Sequence, residues 1–197
     1  MTKVLFHPGI IDWTKEYMFD IPPHFQDVLS SLLPAGSQLK AGLLSGHTFV
    51  ASPKTMQFSL NMPTADISVS EVRQEDVSLI VPNWIEHPET PVFLRRLINA
   101  NLPTVCLRLQ TGQPVAYCLT HLHNLIGMLH VMPNHRKQGL AKVCVSYMAQ
   151  NKFKEEEFVG ARVRYYNGPS QKVFLSCGFV RLPEANDYSV MEYYPPK

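Results

Sequence analysis

The sequence lacks the charge surplus, the long apolar runs and the cysteine pairs that mark several large classes of protein. Its 18 basic and 16 acidic residues give a formal net charge of +2, so a dense basic face that binds nucleic acid is not expected. No apolar run reaches the ~18 residues that a membrane-spanning helix needs. The four cysteines form no C-x-x-C pair and lie among apolar residues, which indicates buried, reduced thiols in an intracellular protein.

The N-terminal sequence, MTKVLFHPGIIDW, resembles neither a signal peptide nor an amphipathic transit peptide. Residues 1–65 are interrupted by prolines and have weak periodicity. One short helix is predicted at HFQDVLSSLL, and KAGLLSGHTFVAS is ambiguous between strand and loop. Residues 66–197 alternate clearly between strand and helix patterns. We therefore predict a short irregular N-terminal segment, 1–65, followed by one folded domain, 66–197.

The patterns of residues 66–197 predict a mixed α/β domain with an antiparallel centre. Strands are predicted where apolar and polar residues alternate between turn signals. Helices are predicted where apolar residues recur at helical spacing, or where proline begins and glycine ends a short segment. The order is strand, helix, helix, three strands, helix, strand, helix and strand. The segments are ISVSEVR, DVSLIVPNWI, TPVFLRRLINANLP, TVCLRLQ, PVAYCLTHL, NLIGMLHVM, GLAKVCVSYMAQ, FVGARVRYY, PSQKVFLSCGF and DYSVMEYY.

The stretch VMPNHRKQGLAKVCVSYM places a basic, glycine-containing loop between a predicted strand and a predicted helix. The N-terminus of a helix presents N–H groups without intrahelical partners, and the macrodipole adds partial positive charge there. Gly139 and the small Ala141 let phosphate oxygens approach the backbone, while Arg136 and Lys137 add full charges. The loop therefore predicts a phosphate or pyrophosphate site. An ordinary basic loop that begins a helix is the alternative.

Two motifs carry a resemblance to a known superfamily. Arg136–Ala141 fits the pattern R-x-x-G-x-A, and NGPSQKVFLSCGF places Asn167 before a short helix that ends in Cys-Gly-Phe. With the strand order, these motifs resemble the GNAT superfamily of acyl-CoA-dependent N-acyltransferases. Residues 66–194 are similar to the C-terminal half of glycine N-acyltransferase and its paralogues. Residues 10–60 weakly resemble the segment that joins the two halves in that family, whose longer N-terminal half is expected to be largely missing.

The resemblance implies a GNAT fold, which is a mixed, mostly antiparallel sheet flanked by helices, with acyl-CoA as co-substrate and no metal. It implies that the loop binds the CoA pyrophosphate, and that the strand before the loop offers backbone N–H groups to the oxyanion and the pantetheine. The implied contacts to the co-substrate are Leu129, Val131, Arg136, Lys137, Gln138, Gly139, Leu140, Ala141, Asn167 and Phe174.

Two catalytic positions of the family differ here. The family's general-base glutamate corresponds to Leu125, and the tyrosine that often protonates the leaving thiolate corresponds to Phe174. Because leucine cannot take a proton, we expect a histidine to act as the base, since neutral histidine suits this role near pH 7. His130, in the strand next to the thioester, is the expected base, and His121 and His123 are the alternatives. Tyr165 and Tyr166 follow a strand that should border the co-substrate, and alternation turns only one of them inward. We expect Tyr166 to be the proton donor to the thiolate.

Other residues are candidates for binding the acceptor or the acyl group. Asn83 and Trp84 can line the acyl pocket, with core packing as the alternative for the tryptophan. Arg96 can bind the carboxylate of an amino-acid acceptor through two N–H groups, with a solvated helix face as the alternative. His121 and His123 are two residues apart in a predicted strand, so they should share a face. A metal pair there would lack a third ligand of matching spacing.

The resemblance implies an acyl-CoA-dependent N-acyltransferase that uses glycine or a related small amine as acceptor. Two alternatives are a pseudoenzyme that binds acyl-CoA without turnover, and a GNAT enzyme that acetylates protein amines. The family is mainly mitochondrial, so mitochondria are the expected location and the cytoplasm is the alternative. The sequence does not indicate the oligomeric state.

Overall fold

The structure, a computed structural model, describes residues 11–41, 45–84 and 90–196. The first ten residues and parts of two predicted segments, KAGLLSGHTFVAS and DVSLIVPNWI, lie outside the described residues.

The chain folds into two compact units whose segments alternate along the sequence. The smaller unit takes in the described residues up to Thr48, Arg164–Tyr166 and the residues from Leu182 onward. The larger unit comprises Phe49–Val163 and Asn167–Arg181. These borders differ from the predicted division at residue 65, which stays a prediction about domains.

The described helices and strands follow the predicted order, with four further strands. The α-helices are α1 Gln26–Leu32, α2 Val77–Ile80, α3 Thr90–Asn99, α4 Leu140–Lys152 and α5 Gly168–Ser176. The strands are β1 Tyr17–Ile21, β2 Gln38–Ala41, β3 Gly46–Ala51, β4 Ile67–Ser70, β5 Thr104–Leu109, β6 Pro114–Thr120, β7 Ile126–Val131, β8 Val159–Arg164, β9 Val180–Arg181 and β10 Ser189–Tyr194. The ambiguous segment therefore contains a strand, β3.

Seven of the described strands form a mixed sheet in the order β4-β5-β6-β7-β8-β3-β9. Strands β4 to β7 pair antiparallel with their neighbours, whereas β7 and β8 are parallel. The β5–β6 hairpin closes at a turn where Gly112 has φ 87°, a conformation that glycine adopts at no steric cost. The predicted mixed, mostly antiparallel sheet is confirmed.

Three of the described strands form a second sheet in the order β1-β10-β2. The last predicted strand is therefore real, but it pairs with β1 and β2 and not with the main sheet. Tyr193 of β10 is 1% exposed, and its ring lies 5.2 Å from Trp13 and 6.3 Å from Phe19. These aromatic contacts form the small core of this unit.

The larger unit has an apolar cluster on each face of the main sheet, because alternate residues of its strands point to opposite faces. Val105 and Leu107 belong to the cluster under α4 and α5, while Cys106 between them belongs to the cluster under α2 and α3. We call these the α4 cluster and the α3 cluster. Helices therefore flank both faces of the sheet.

Candidate active site

An unpaired stretch of β7 faces β8. The two parallel strands pair only at Ile126 and Ala161. At this closed end Gly160 lies against Leu125, and a Cβ at position 160 would lie 2.6 Å from Cδ2 of Leu125, so the leucine side chain would have to move. Beyond Ile126 this edge of β7 does not pair with β8, so its N–H and C=O groups, apart from the carbonyl of Val131 that accepts from Arg136, are available to an extended ligand.

A bulge in β7 changes which side chains face each cluster. Tyr117 of β6 lies opposite His130, and Leu119 lies opposite Gly127, so a two-residue step on β6 matches a three-residue step on β7. Within the bulge Met128 has φ 52°, which costs an ordinary residue about 1–2 kcal/mol. Bulges often redirect side chains next to active sites.

Here the bulge moves neighbouring side chains to opposite faces of the sheet. Ile126 packs in the α4 cluster and Met128 in the α3 cluster, although residues two apart in a regular strand share a face.

After the bulge, the predicted co-substrate contacts and the predicted base lie on opposite faces. Leu129 and Val131 pack against the α4 cluster. His130 lies on the other face, where its ring stacks on the ring of Tyr117 with centroids 5.5 Å apart and an angle of 20° between planes. The bulge thus directs His130 toward the α3 side of the sheet.

His130 has the properties of a neutral base. Its side chain is partly buried, and its Nε2 atom is buried without a hydrogen-bond partner. Burial, with a smaller effect from the positive charge of Arg136, lowers the pKa of His130 below its ordinary value. The ring is therefore neutral at neutral pH and can accept a proton.

The loop from Arg136 to Gly139 is exposed and leads into the first turn of α4. Lys137 has φ 63° and Gly139, the residue before the helix, has φ 82°, and no side chain caps the helix. The Nε atom of Arg136 donates to the carbonyl of Val131 at 3.1 Å, which ties the loop to the end of β7 and leaves the other N–H groups of the guanidinium for a ligand. Leu140 is itself buried, so only its backbone can contribute. This geometry fits the predicted anion site.

Three of the predicted acceptor residues lie on the α3 side of the sheet. The ring of His121 lies 5.5 Å from Trp84 and 5.7 Å from Phe93. Gly127 makes room for it, because a Cβ there would lie 2.6 Å from the Cβ of His121. Asn83 is exposed, and its Nδ2 donates to the carbonyl of Leu79 at 2.8 Å.

The sequence did not indicate two members of this group, Tyr117 and Phe93, as site residues. They lie in segments for which the sequence predicts only a strand and a helix. The directly opposite pairing of Tyr117 with His130 depends on the bulge, and no motif marks that bulge.

The predicted pairing of His121 with His123 on one strand face is wrong. Strand β6 ends at Thr120, and His123 lies in a short 3₁₀ turn with φ 58°, so strand alternation does not apply to it. His123 is exposed. Arg96 is also exposed, on the outer side of α3, and no described contact joins it to His130 or His121.

The assignment of Tyr166 also rested on strand alternation that the structure does not continue. Strand β8 ends at Arg164, and Tyr166 follows in a turn with 68% of its surface exposed. Its hydroxyl accepts a hydrogen bond from Nη1 of Arg164 at 2.7 Å. Tyr165 instead donates to Oδ2 of Asp187 at 3.3 Å.

Asn167 and Phe174 have structural roles here. The Oδ1 atom of Asn167 accepts from the N–H of Ser170 at 3.2 Å and so caps α5. Phe174 is 2% exposed, with its ring 6.3 Å from Phe49 and 5.1 Å from Phe179. The ring of Phe174 is enclosed by the α4 cluster, so its predicted contact with the co-substrate, which stays a prediction, would have to come from its backbone.

Three other features bear on function. Among the described residues, no group of three or more histidine, cysteine or acidic side chains can hold a metal ion. No helix in the described part of the chain is long and apolar enough to cross a bilayer. An open cleft of about 520 Å³, lined partly by Glu71, Thr104 and Lys154, contains none of the predicted site residues.

The chain is similar to several known proteins. Residues 105–188 match the family model described as FR47-like protein. No curated protein gives a significant match. A Drosophila protein of known structure is 17% identical with a TM-score of 0.78, and the match covers 95% of this chain and 64% of that one.

Two further solved structures are acetyltransferases. A GCN5-related N-acetyltransferase from Kribbella flavida is 16% identical with a TM-score of 0.56, and the match covers 89% of this chain and 65% of that one. An acetyltransferase of the GNAT family from Colwellia psychrerythraea is 14% identical with a TM-score of 0.59, and the match covers 91% and 64%. This chain therefore spans less than two thirds of the length of each.

The chain has the GNAT fold, as predicted. The finer resemblance to glycine N-acyltransferases stays a prediction.

Proposed function

We propose that this protein is an acyl-CoA-dependent N-acyltransferase whose acceptor is glycine or a related small amine. The observation that carries the proposal is the arrangement along β7. An unpaired strand edge leads to a basic loop at the N-terminus of α4, and a neutral histidine lies on the strand between them.

Each part of this arrangement matches a part of acyl-CoA. The exposed loop and the N–H groups that begin α4 suit the pyrophosphate. The unpaired edge of β7 suits the pantetheine arm, whose amides can pair as a strand does. The N–H groups between Leu129 and Val131 suit the oxyanion that forms at the thioester carbonyl.

The reaction follows from these positions. The acceptor reacts as the neutral amine, and as its nitrogen forms a bond to the thioester carbon, the imidazole of His130 takes the proton that this nitrogen loses. The tetrahedral oxyanion then collapses and the C–S bond breaks. The products are an amide and CoA. Because an ordinary thiol has a pKa of about 8.5, the thiolate can leave without a dedicated acid.

The test is the release of free CoA thiol from acetyl-CoA, benzoyl-CoA and a long-chain acyl-CoA, each with and without glycine. Glycine-dependent release supports the proposal and ranks the acyl groups. Release only with a lysine-containing peptide would instead favour a protein acceptor. No release with any acceptor would overturn the acyltransferase proposal.

Binding is tested separately. Arg136→Ala should weaken CoA affinity by about 1.5–3 kcal/mol, as expected for the loss of a charge-assisted hydrogen bond. Lys154→Ala removes an exposed positive charge just beyond the other end of α4 and should leave affinity unchanged. Calorimetry with CoA measures both. Equal affinities for the Arg136 variant and the parent would contradict the assignment of the loop.

A pseudoenzyme that binds acyl-CoA is the second candidate, favoured by Leu125. This residue occupies the family's glutamate position, and its side chain lies against Gly160 at the closed end of the β7–β8 gap. Clear CoA binding without thiol release over a broad panel of amines would favour this candidate. The mitochondrial location also stays a proposal, which imaging of a tagged chain would test.

A further inference from the structure

A general-base histidine needs something that fixes its ring and stabilises the charge that it gains. In many enzymes a carboxylate does both. None of the ion pairs of the described residues involves His130, and its buried Nε2 has no hydrogen-bond partner. Among the described residues, the aromatic ring that stacks on His130 is that of Tyr117.

Tyr117 is held firmly in place. It lies in the middle of β6, opposite His130, and is 2% exposed in the α3 cluster. Directly opposite residues in an antiparallel pair have Cβ atoms about 4.5–5.5 Å apart, so their side chains pack on one another. The two rings are near parallel, with 20° between planes and 5.5 Å between centroids.

This geometry also suits a charged imidazole. A cation within about 6 Å of an aromatic centroid is attracted by the negative face of the ring, and the attraction is stronger where water is excluded. His130 becomes such a cation when it takes the proton of the acceptor amine. The attraction acts against burial and the charge of Arg136, which both disfavour the protonated ring.

We infer that Tyr117 is a positioning residue for His130, and that its ring face holds the imidazole in place and stabilises its protonated form. This role rests on the proposed function in so far as it serves catalysis. The stacking itself is independent of the reaction, so it can be tested without turnover.

The role belongs to the ring and not to the hydroxyl. Burial raises the pKa of Tyr117 to about 12, with a hydrogen bond from Asn83 acting in the opposite direction, so the phenol stays neutral. Cys106 lies opposite Tyr117 on β5, and its thiol also remains neutral, because burial raises the pKa of Cys106 to about 12. Among the described groups that act on His130, Arg136 is therefore the charged one.

The experiment is NMR titration of histidine ring protons in the full chain, with the His130 signal assigned by its loss in His130→Gln. In the parent, stacking on Tyr117 predicts an upfield shift of the His130 ring protons. Tyr117→Leu removes the aromatic ring that stacks on His130 and should lower the titration midpoint of His130 by about 0.5–1.5 pH units. Tyr117→Phe keeps the aromatic ring, so the His130 midpoint should stay within about 0.3 pH units of that of the parent. Phe179→Leu, which removes a buried ring from the α4 cluster, should leave the midpoint unchanged.

Three results would overturn the inference. They are a parent signal without an upfield shift, an unchanged midpoint in Tyr117→Leu, or a shift in Tyr117→Phe as large as that in Tyr117→Leu. If Tyr117→Leu does not fold, the upfield shift of the His130 ring protons in the parent and the His130 midpoint in Tyr117→Phe still test the inference. In the thiol-release assay Tyr117→Leu should lower kcat about tenfold and leave the KM for acyl-CoA unchanged. Tyr117→Phe should have the kcat of the parent. Absence of turnover in the parent would count against the proposed function alone, because the titration does not depend on it.

Discussion

Phe49 of β3 offers a direct test of how the core of the larger unit is built. It is 1% exposed and packs against Phe174 in the α4 cluster, although it precedes residue 66, where the folded domain was predicted to begin. Phe58 belongs to the same stretch of chain but is 45% exposed. The same substitution at both positions therefore compares a buried ring with a half-exposed one.

The magnitudes follow from this difference in burial. Phe49→Ala removes a fully buried ring from a closed cluster, and such changes cost about 3–5 kcal/mol. Phe58 loses only part of its contact with water on folding, and its ring meets Phe153 edge-on at 6.4 Å. Since complete burial of a phenylalanine stabilises by about 1.5–3 kcal/mol, we expect Phe58→Ala to cost no more than about 1 kcal/mol.

Urea unfolding at 25 °C, followed by circular dichroism, measures both free energies of unfolding. The fragment 66–197, which lacks Phe49 together with the buried Ala51 and Met56, should show no cooperative transition. A cost below about 1 kcal/mol for Phe49→Ala, or equal costs for the two variants, would refute the packing argument. Cooperative unfolding of the fragment 66–197 would also refute the packing argument.

Three further predictions concern the neighbourhood of the site. Gly127→Ala should destabilise the protein by about 1–3 kcal/mol in urea, because the new Cβ would lie 2.6 Å from that of His121 and neither atom is flexible. Burial lowers the pKa of folded His130, so the unfolded chain binds more protons below about pH 6.5 and stability falls as the pH falls. The parent should therefore lose more free energy of unfolding between pH 7 and 5 than His130→Gln, and equal losses would contradict this. Because burial raises the pKa of Cys106 to about 12 and that of Cys177 to about 11, neither should react with a thiol reagent at pH 8 until urea unfolds the chain.

The elements that the sequence predicted well are those whose signals are local. The β5–β6 hairpin and the helices α3, α4 and α5 follow from periodicity, proline and glycine, and the structure has all of them. The loop before α4 was also predictable, because Gly139 must adopt φ 82° there. Position 178, in the Cys-Gly-Phe motif that follows α5, needs glycine for a packing reason, since a Cβ there would lie 2.0 Å from the carbonyl oxygen of Thr55.

The elements that the sequence missed depend on distant partners. Strands β1 and β2 become strands because β10 lies between them, and no local pattern shows this pairing. The strand alternation assumed for His123 and Tyr166 does not hold, because β6 ends three residues before His123 and β8 ends two residues before Tyr166, and the roles of both residues stay predictions. Strand ends are set by tertiary contacts, so alternation is unreliable there.

The central position of β10 has a consequence for synthesis on the ribosome. Strands β1 and β2 do not pair with each other, and the strand that joins them begins at Ser189, about 150 residues after β2 ends. At translation rates of about 5–20 residues per second, the early strands wait on the order of ten seconds or more with exposed edges. During that time their edges lack the partner that covers them in the folded protein, so the smaller sheet is completed only when the end of the chain has been made.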